Sequence, residues 1–381
     1  MDKKYTIAIV GAGGIGKAVG LLIADSDALR TDIYIGDVNF EAAKKAATWI
    51  QEGIAIDTDI IPFAMPYEGV DDEMNRVFAN CDLVLDCLPG SQAPRIARLA
   101  KAHEMHYANL TEYVKETDEI TALAKDASTG FVLQTGLAPG FINVLANYLF
   151  QHFCQEFGVT TVDKIEMKVG ALTQHACAPH FYGFTWSPIG VATEYIEDAV
   201  AVRNGEKVLL PALSERETII IDTVTYENDL TSGGAADLPD AFAGKVKSLD
   251  YKTIRYPGHY EWVAGIVKQI ENPKDKIAQL QATMLATIPA LEDDVVIIYA
   301  SVQGKDQNGV LRAKEKTYRI EPKVIGGKKL RAIQTTTAAP LAESARLLLT
   351  GKWKGVVFQS QIDPESFMKG PFVSSIYGAI K

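Results

Sequence analysis

Tyr5-Thr-Ile-Ala-Ile-Val10-Gly11-Ala-Gly13-Gly14-Ile15-Gly16 sets an apolar run directly against a G-x-G-x-x-G pattern. The run reads as a buried strand, and the segment Gly14–Ala28 behind the glycines reads as a helix. In that context Gly11 permits a tight turn and Gly13 lets the backbone approach a pyrophosphate. Gly16 lets helix and strand pack closely. Gly14 and Ile15 open the helix, where unpaired N–H groups and a partial positive charge favour phosphate. A second strand, Asp32–Asp37, ends on a carboxylate that can accept hydrogen bonds from both ribose hydroxyls and would repel a 2′-phosphate. No Lys or Arg follows before Lys44. The expected cofactor is therefore NAD, with NADP the less favoured.

Outward from this stretch the strand–helix rhythm continues. Glu41–Ile50 reads as a helix, Asp82–Leu88 as a strand, Gln92–His103 as a helix and Met105–Asn109 as a strand. Val114–Lys125 is a helix and Phe131–Gln134 a further strand. This order predicts an α/β Rossmann domain, a doubly wound parallel sheet with helices on both faces. Ligands bind beyond the carboxyl ends of such strands, which brings Leu88, Pro89 and Asn109 to the cofactor and Glu112 and Tyr113 near its reactive end. Asp86 lies within an apolar strand and is read as satisfying backbone groups.

After Pro139-Gly140 the rhythm changes. Long strand candidates at Asp163–Leu172, Thr218–Tyr226, Val295–Gln303 and Val310–Ile320 surround helical patterns at Gly258–Gln269 and Lys274–Thr287. Such an order predicts an α+β domain on a mixed or antiparallel sheet. The last helix is expected over Pro340–Thr350. The expected division is 1–138 for the dinucleotide domain and 139–334 for the second.

Composition bounds the rest. A chain of 381 residues that is 47% hydrophobic and 23% charged is a globular protein of two domains or so. Its net charge of −10 argues against general binding to nucleic acid or anionic membranes. No apolar run reaches the roughly 18 residues that span a bilayer. Cys81, Cys87, Cys154 and Cys177 form no C-x-x-C pair, which fits a reducing cytoplasm rather than a disulfide framework. The start of the chain superficially resembles a signal peptide, but glycines interrupt its apolar stretch, and it is read as the first strand.

Four stretches carry a resemblance to a known family: Gly11-Ala-Gly-Gly-Ile-Gly16, Gly136-Leu-Ala-Pro-Gly-Phe141, Phe184-Thr-Trp-Ser-Pro188 and Lys252-Thr-Ile-Arg-Tyr-Pro-Gly-His259. The chain resembles the saccharopine dehydrogenase-like family, and within it the lysine 6-dehydrogenases. The resemblance implies a Rossmann domain completed by C-terminal helices, here 335–381, and a catalytic domain between. It implies hydride transfer at a carbon bearing an amine, in an amino-acid or polyamine-type substrate. Saccharopine or carboxynorspermidine dehydrogenase is the alternative activity. A non-catalytic dinucleotide-binding sensor or assembly protein is the alternative of another class.

Arg255 is suited to bidentate binding of a substrate carboxylate, with an ordinary ion pair as its competing role. Tyr113 and Ser187 are further substrate-binding candidates. His175 and His180 lie in one loop and can exchange protons near neutral pH. Glu112 could hold the substrate ammonium or act as the base. No third ligand stands near the histidine pair at a convincing spacing, so no metal is expected. Lys168 is read as a strand lysine facing solvent, and Arg203 as a weak candidate for a second carboxylate. An exposed sheet edge makes a homodimer plausible.

Overall fold

The computed structural model describes residues 3–55, 58–270 and 273–380. The chain forms two compact units, Met1–Phe141 with Lys323–Leu330 and Gln334–Lys381, and Ile142–Pro322 with Arg331–Ile333.

The first unit begins β1 (Tyr5–Val10), α1 (Gly14–Ala24), β2 (Thr31–Asp37), α2 (Phe40–Gln51), β3 (Ile60–Ala64) and α3 (Asp72–Phe78). It continues β4 (Leu83–Asp86), α4 (Ala93–Ala102), β5 (His106–Asn109), α5 (Val114–Ala124) and β6 (Gly130–Val132). Together with β17 (Gly355–Val357) these strands build a seven-stranded sheet in the order β17-β6-β5-β4-β1-β2-β3. Every pairing in it is parallel. The four last residues of β1 are fully buried, as a strand covered by helices on both faces must be. Helix α2 instead buries only Ala43, Ala46, Ala47 and Ile50, one stripe at helical spacing. The α/β doubly wound class expected from the sequence is thus the one found.

Two elements here escaped the sequence reading. Strand β3 lies at the sheet edge and carries Pro62, which a central strand would not tolerate. Helix α3 has only two turns and too few positions to show a period.

The second unit holds α6 (Phe141–Phe157), β7 (Val162–Thr173), α7 (Pro188–Ile196), β8 (Ala199–Arg203), β9 (Glu206–Leu210), β10 (Glu217–Ile221), β11 (Val224–Leu230) and α8 (Leu238–Phe242). It ends with β12 (Val246–Arg255), α9 (His259–Val267), α10 (Lys276–Thr287), β13 (Asp294–Lys305) and β14 (Leu311–Ile320). Its eight-stranded sheet runs β10-β11-β12-β7-β13-β14, with the β8–β9 hairpin joined to β12. Only β12 and β7 pair in parallel, so the sheet is mixed.

The single strand expected over Thr218–Tyr226 is instead the hairpin β10–β11. Asp222 and Thr223 both take left-handed backbone, with φ of 49° and 67°, the pattern of a two-residue hairpin turn. A β-branched residue is a poor advertisement for that conformation, and the apolar run concealed it. The chain then returns to the first unit through β15 (Lys323–Ile325), β16 (Lys328–Leu330) and α11 (Ala332–Thr350), followed by β17, α12 (Pro364–Met368) and α13 (Pro371–Tyr377). Helix α11 starts before Pro340 and carries that proline inside. The preference of proline for a first turn places the expected start too late.

Candidate dinucleotide and substrate sites

In the first unit the three motif glycines do three separate things. Gly11 has φ of +98°, and a Cβ there would sit 2.8 Å from the Cys87 carbonyl oxygen; its N–H donates to Gly36 O at 2.8 Å. A Cβ on Gly16 would overlap the Gly11 carbonyl oxygen, so the helix can pack on its own loop only without a side chain. A Cβ on Gly13 would meet nothing within 4 Å. Gly13 is the N-cap of α1, contributes no side-chain cap, and is followed by no acidic residue in the first turn. The N–H groups of the first turn, Gly14 and Ile15 among them, thus stand at open space beside a positive helix end, which fits a pyrophosphate.

Asp37 is tied into this loop. Its Oδ2 accepts from Ala12 N–H at 3.0 Å and its Oδ1 from Asn39 N–H at 2.9 Å. Each oxygen keeps a further lone pair for a ribose hydroxyl. Lys44 is held by Glu41 at 2.9 Å and lies over the Phe40 ring.

The ends of β4 and β5 meet beside the glycine loop. Asp86 is buried; its Oδ1 accepts from Leu88 N–H at 3.1 Å and its Oδ2 from the Tyr107 hydroxyl at 2.9 Å. Burial pushes its carboxyl up to about 7 against the opposing pull of those two donors. Its backbone-satisfying role is as expected, with Tyr107 as an added partner. The contact fixes the Cys87-Leu88 peptide against which Gly11 packs. Gly90, next to Pro89, lies against Thr111 and Tyr113, so Leu88, Pro89, Glu112 and Tyr113 are brought into one region. Glu112 is half-buried, and desolvation raises its carboxyl above the usual range. Asn109 is buried with Oδ1 accepting from Gln134 N–H at 2.9 Å, while its Nδ2 has no hydrogen-bond partner. The same amide lies near enough to the Tyr107 hydroxyl to favour its ionised form.

In the second unit Arg255 ends β12 with its side chain 1% exposed. Nε donates to the Tyr195 hydroxyl at 2.6 Å and Nη1 to Ile254 O at 2.9 Å. The guanidinium lies over the Tyr182 ring, 4.7 Å from its centroid. Nη2 is buried with no partner. His180 is buried, with Nδ1 accepting from Tyr182 N–H at 3.4 Å, and its carbonyl accepts from His259 Nδ1–H at 2.6 Å. His175 is exposed and is not brought to this group; its backbone N–H donates to Thr173 Oγ1. Ser187, also exposed, spends its hydroxyl as the N-cap of α7, accepting from Gly190 N–H.

The family description "Saccharopine dehydrogenase NADP binding domain" matches residues 7–133, and "Saccharopine dehydrogenase C-terminal domain" matches residues 136–370. The chain belongs to the saccharopine dehydrogenase family. Mitochondrial alpha-aminoadipic semialdehyde synthase from Bos taurus is 25% identical over 222 residues, covering 55% of this chain and 23% of that protein. Its counterpart from Rattus norvegicus is 24% identical over 140 residues, 36% of this chain and 15% of the relative. The chain thus aligns with less than a quarter of the length of these curated relatives.

The fold is shared with apo saccharopine dehydrogenase (L-Glu forming) from Saccharomyces cerevisiae, at a TM-score of 0.75 and 13% identity over 98% of both chains. Homospermidine synthase from Legionella pneumophila, solved with NAD, superimposes at 0.66 with 12% identity over 98% of this chain and 90% of that one. No helix among the described residues is long and apolar enough to cross a membrane.

Within this saccharopine dehydrogenase fold two basic residues depart from expectation. Lys168 does not face solvent: it is 4% exposed and pairs with Glu166 at 2.9 Å and Glu217 at 3.4 Å. Its neighbour in register, Lys252, shares Glu217 at 3.2 Å. A lysine flanked by alternating apolar and charged residues reads as surface, and only the paired strands reveal the acids that enclose it. Arg203 is occupied by Glu215 at 2.6 Å and Asp250 at 2.8 Å. The residues the sequence reading left without a role are Tyr195 and His259. For His259 the signal is the Arg255-Tyr-Pro-Gly-His259 spacing, in which Gly258, at φ +94°, turns the strand end into α9; Tyr195, on α7, carries none.

Proposed function

We propose that the chain is an NAD-dependent amino-acid dehydrogenase, lysine 6-dehydrogenase-like, that oxidises the carbon next to a side-chain amine. The unpartnered Nη2 of Arg255 carries this reading. A buried guanidinium with two of its nitrogens satisfied and the third free is a built site for an anion, and a substrate carboxylate supplies one. Arg255 is 1% exposed, so a carboxylate reaches Nη2 only when the packing around it opens. Arg203, the other candidate for a carboxylate, is already neutralised by two acids. A substrate with one carboxylate therefore suits these residues better than saccharopine, which carries more.

The cofactor assignment rests on Gly13, which leaves room for a pyrophosphate, and on Asp37, whose carboxylate disfavours a 2′-phosphate. Lys44, held by Glu41, offers no counter-charge. A bound nicotinamide supplies the hydride acceptor. In the second unit Arg255 fixes the substrate carboxylate. Glu112, with its carboxyl raised by burial, takes up a proton closer to neutrality than a solvated carboxylate would. His180, whose Nδ1 accepts a backbone N–H, presents Nε2–H in its neutral form and so acts first as a donor. Four free cysteines fit work in a reducing cytoplasm.

Hydride leaves a carbon beside a neutral amine, so the rate rises toward alkaline pH. Reduction of NAD and NADP is followed with lysine, ornithine, saccharopine and diamines. Turnover of lysine with NAD, increasing from about pH 7 to about pH 10, is expected. Tight NAD binding with no turnover of any amine would instead favour a sensor.

A further inference from the structure

Arg255 is oriented by neutral groups whose proton positions can be worked out in sequence. Its Nε–H donates to the Tyr195 oxygen at 2.6 Å. A phenol that accepts there turns its own proton elsewhere, and His259 Nε2 stands 3.0 Å away. That nitrogen must then be the acceptor and carry no proton. The remaining proton of the neutral ring sits on Nδ1, which donates to the His180 carbonyl at 2.6 Å. The ring is fully buried. Burial and the adjacent Arg255 charge push its pKa down to about 3, so it does not titrate near neutrality. The Tyr182 ring closes the box, 5.1 Å from the His259 ring and 4.7 Å from the guanidinium carbon.

We propose that His259, as the neutral Nδ1–H tautomer, is a positioning residue for the substrate carboxylate, acting through Tyr195 on Arg255. The proposal rests on Arg255 being the carboxylate anchor. Its physical content is a choice of neutral supports. A carboxylate in the place of His259 would orient an arginine equally well but would neutralise it, and the incoming substrate would then face a spent charge. Phenol and imidazole fix the direction of Nη2 without adding a second carboxylate to Glu194, which already acts on the guanidinium. The buried Glu194, within electrostatic reach, acts without a hydrogen bond to Nη2.

Three variants and two substrates separate positioning from mere packing. His259→Phe keeps the ring and loses the acceptor. His259→Gln keeps an acceptor for Tyr195 and a donor for the His180 carbonyl, and Tyr195→Phe breaks the relay at its middle. With lysine, His259→Phe and Tyr195→Phe raise KM on the order of tenfold or more with kcat little changed, and His259→Gln recovers most of the loss. With 1,5-diaminopentane, which has no carboxylate, kcat/KM is the same for His259→Phe and wild type.

An equal loss with both substrates, or no recovery in His259→Gln, overturns the proposal. In [15N]histidine-labelled wild type the His259 ring is expected to show a protonated Nδ1 and no titration between about pH 5 and 9. A protonated Nε2, or titration in that range, overturns the relay while leaving the dehydrogenase reading intact. A wild type inert toward every amine instead overturns the dehydrogenase reading, and with it the role of the carboxylate.

Discussion

Asp37 and Arg255 show how far a single residue's role can be set by what its neighbours leave undone. Asp37 spends one lone pair of each oxygen on the loop and keeps the other for a ribose. Asp37→Ser removes the charge that repels a 2′-phosphate, so the NAD:NADP ratio of kcat/KM is expected to fall by at least about tenfold. An unchanged ratio would show that discrimination lies elsewhere. Arg255→Lys keeps the charge but loses the planar fork, leaving Tyr195 and the Ile254 carbonyl without their donors. It should raise KM for lysine on the order of a hundredfold, two good charge-assisted hydrogen bonds' worth. The position of Asp37 is legible in the sequence because strand, glycine loop and acidic residue are local. The Arg255 surroundings are not, since Tyr182 and Tyr195 arrive from sequence positions far from β12. Sequence marks the arginine as able to bind an anion, and only packing shows which of its nitrogens is free.

At the scale of elements, the β1–α1 loop separates two kinds of glycine that a motif treats alike. Gly13→Ala places a methyl in open space, so the protein should fold with its Tm unchanged and lose NAD affinity on the order of tenfold or more. Gly16→Ala drives a methyl into the Gly11 carbonyl oxygen and should destabilise the first unit itself. Equal melting temperatures for the two variants would contradict this division. Behind the loop, the end of β4 carries a charge that burial opposes. Asp86 ionises near 4 in an unfolded chain and at about 7 here, so as pH rises across that window the unfolded state gives up its proton first and native stability falls. Asp86→Asn removes that penalty while keeping an acceptor for Leu88 N–H. Its advantage over wild type in urea unfolding should grow by about 2–3 kcal/mol between pH 5 and pH 8. A difference independent of pH would mean Asp86 stays ionised. Strand β1, by its apolar run, and strand β7, by its long alternating pattern, are visible in the sequence. Hairpin β10–β11 and edge strand β3 are not, because their turn and their proline make sense only beside a partner.

For the molecule as a whole, the consequential fact is that the first unit is built from both ends of the chain. Strand β17 adds to β6 in parallel register and forms the last strand on that side of the sheet. Gln359 Nε2 donates to Leu133 O at 2.8 Å, and the Tyr377 hydroxyl donates to Thr336 O at 2.6 Å. Phe141 stacks on Tyr377 with ring centroids 3.6 Å apart. Glu343, fully buried on α11, accepts from Phe372 N–H at the start of α13. Val357, Ile362, Phe367, Met368, Phe372, Val373, Ile376 and Tyr377 are all buried. At roughly 1.5–3 kcal/mol for each large apolar side chain, their contribution is comparable to or larger than the 5–15 kcal/mol by which a domain is usually stable. A chain ending after Thr350 therefore keeps every residue of the glycine motif and Asp37, yet should neither fold its first unit nor bind NAD. Soluble yield, and the rise in Tm on adding NAD, measure this. Full-length protein with NAD at a hundred times its Kd gains about 2.7 kcal/mol, and the truncated chain should gain nothing. A truncated protein that stays soluble and is stabilised by NAD would show that the segment after Thr350 is dispensable to the first unit.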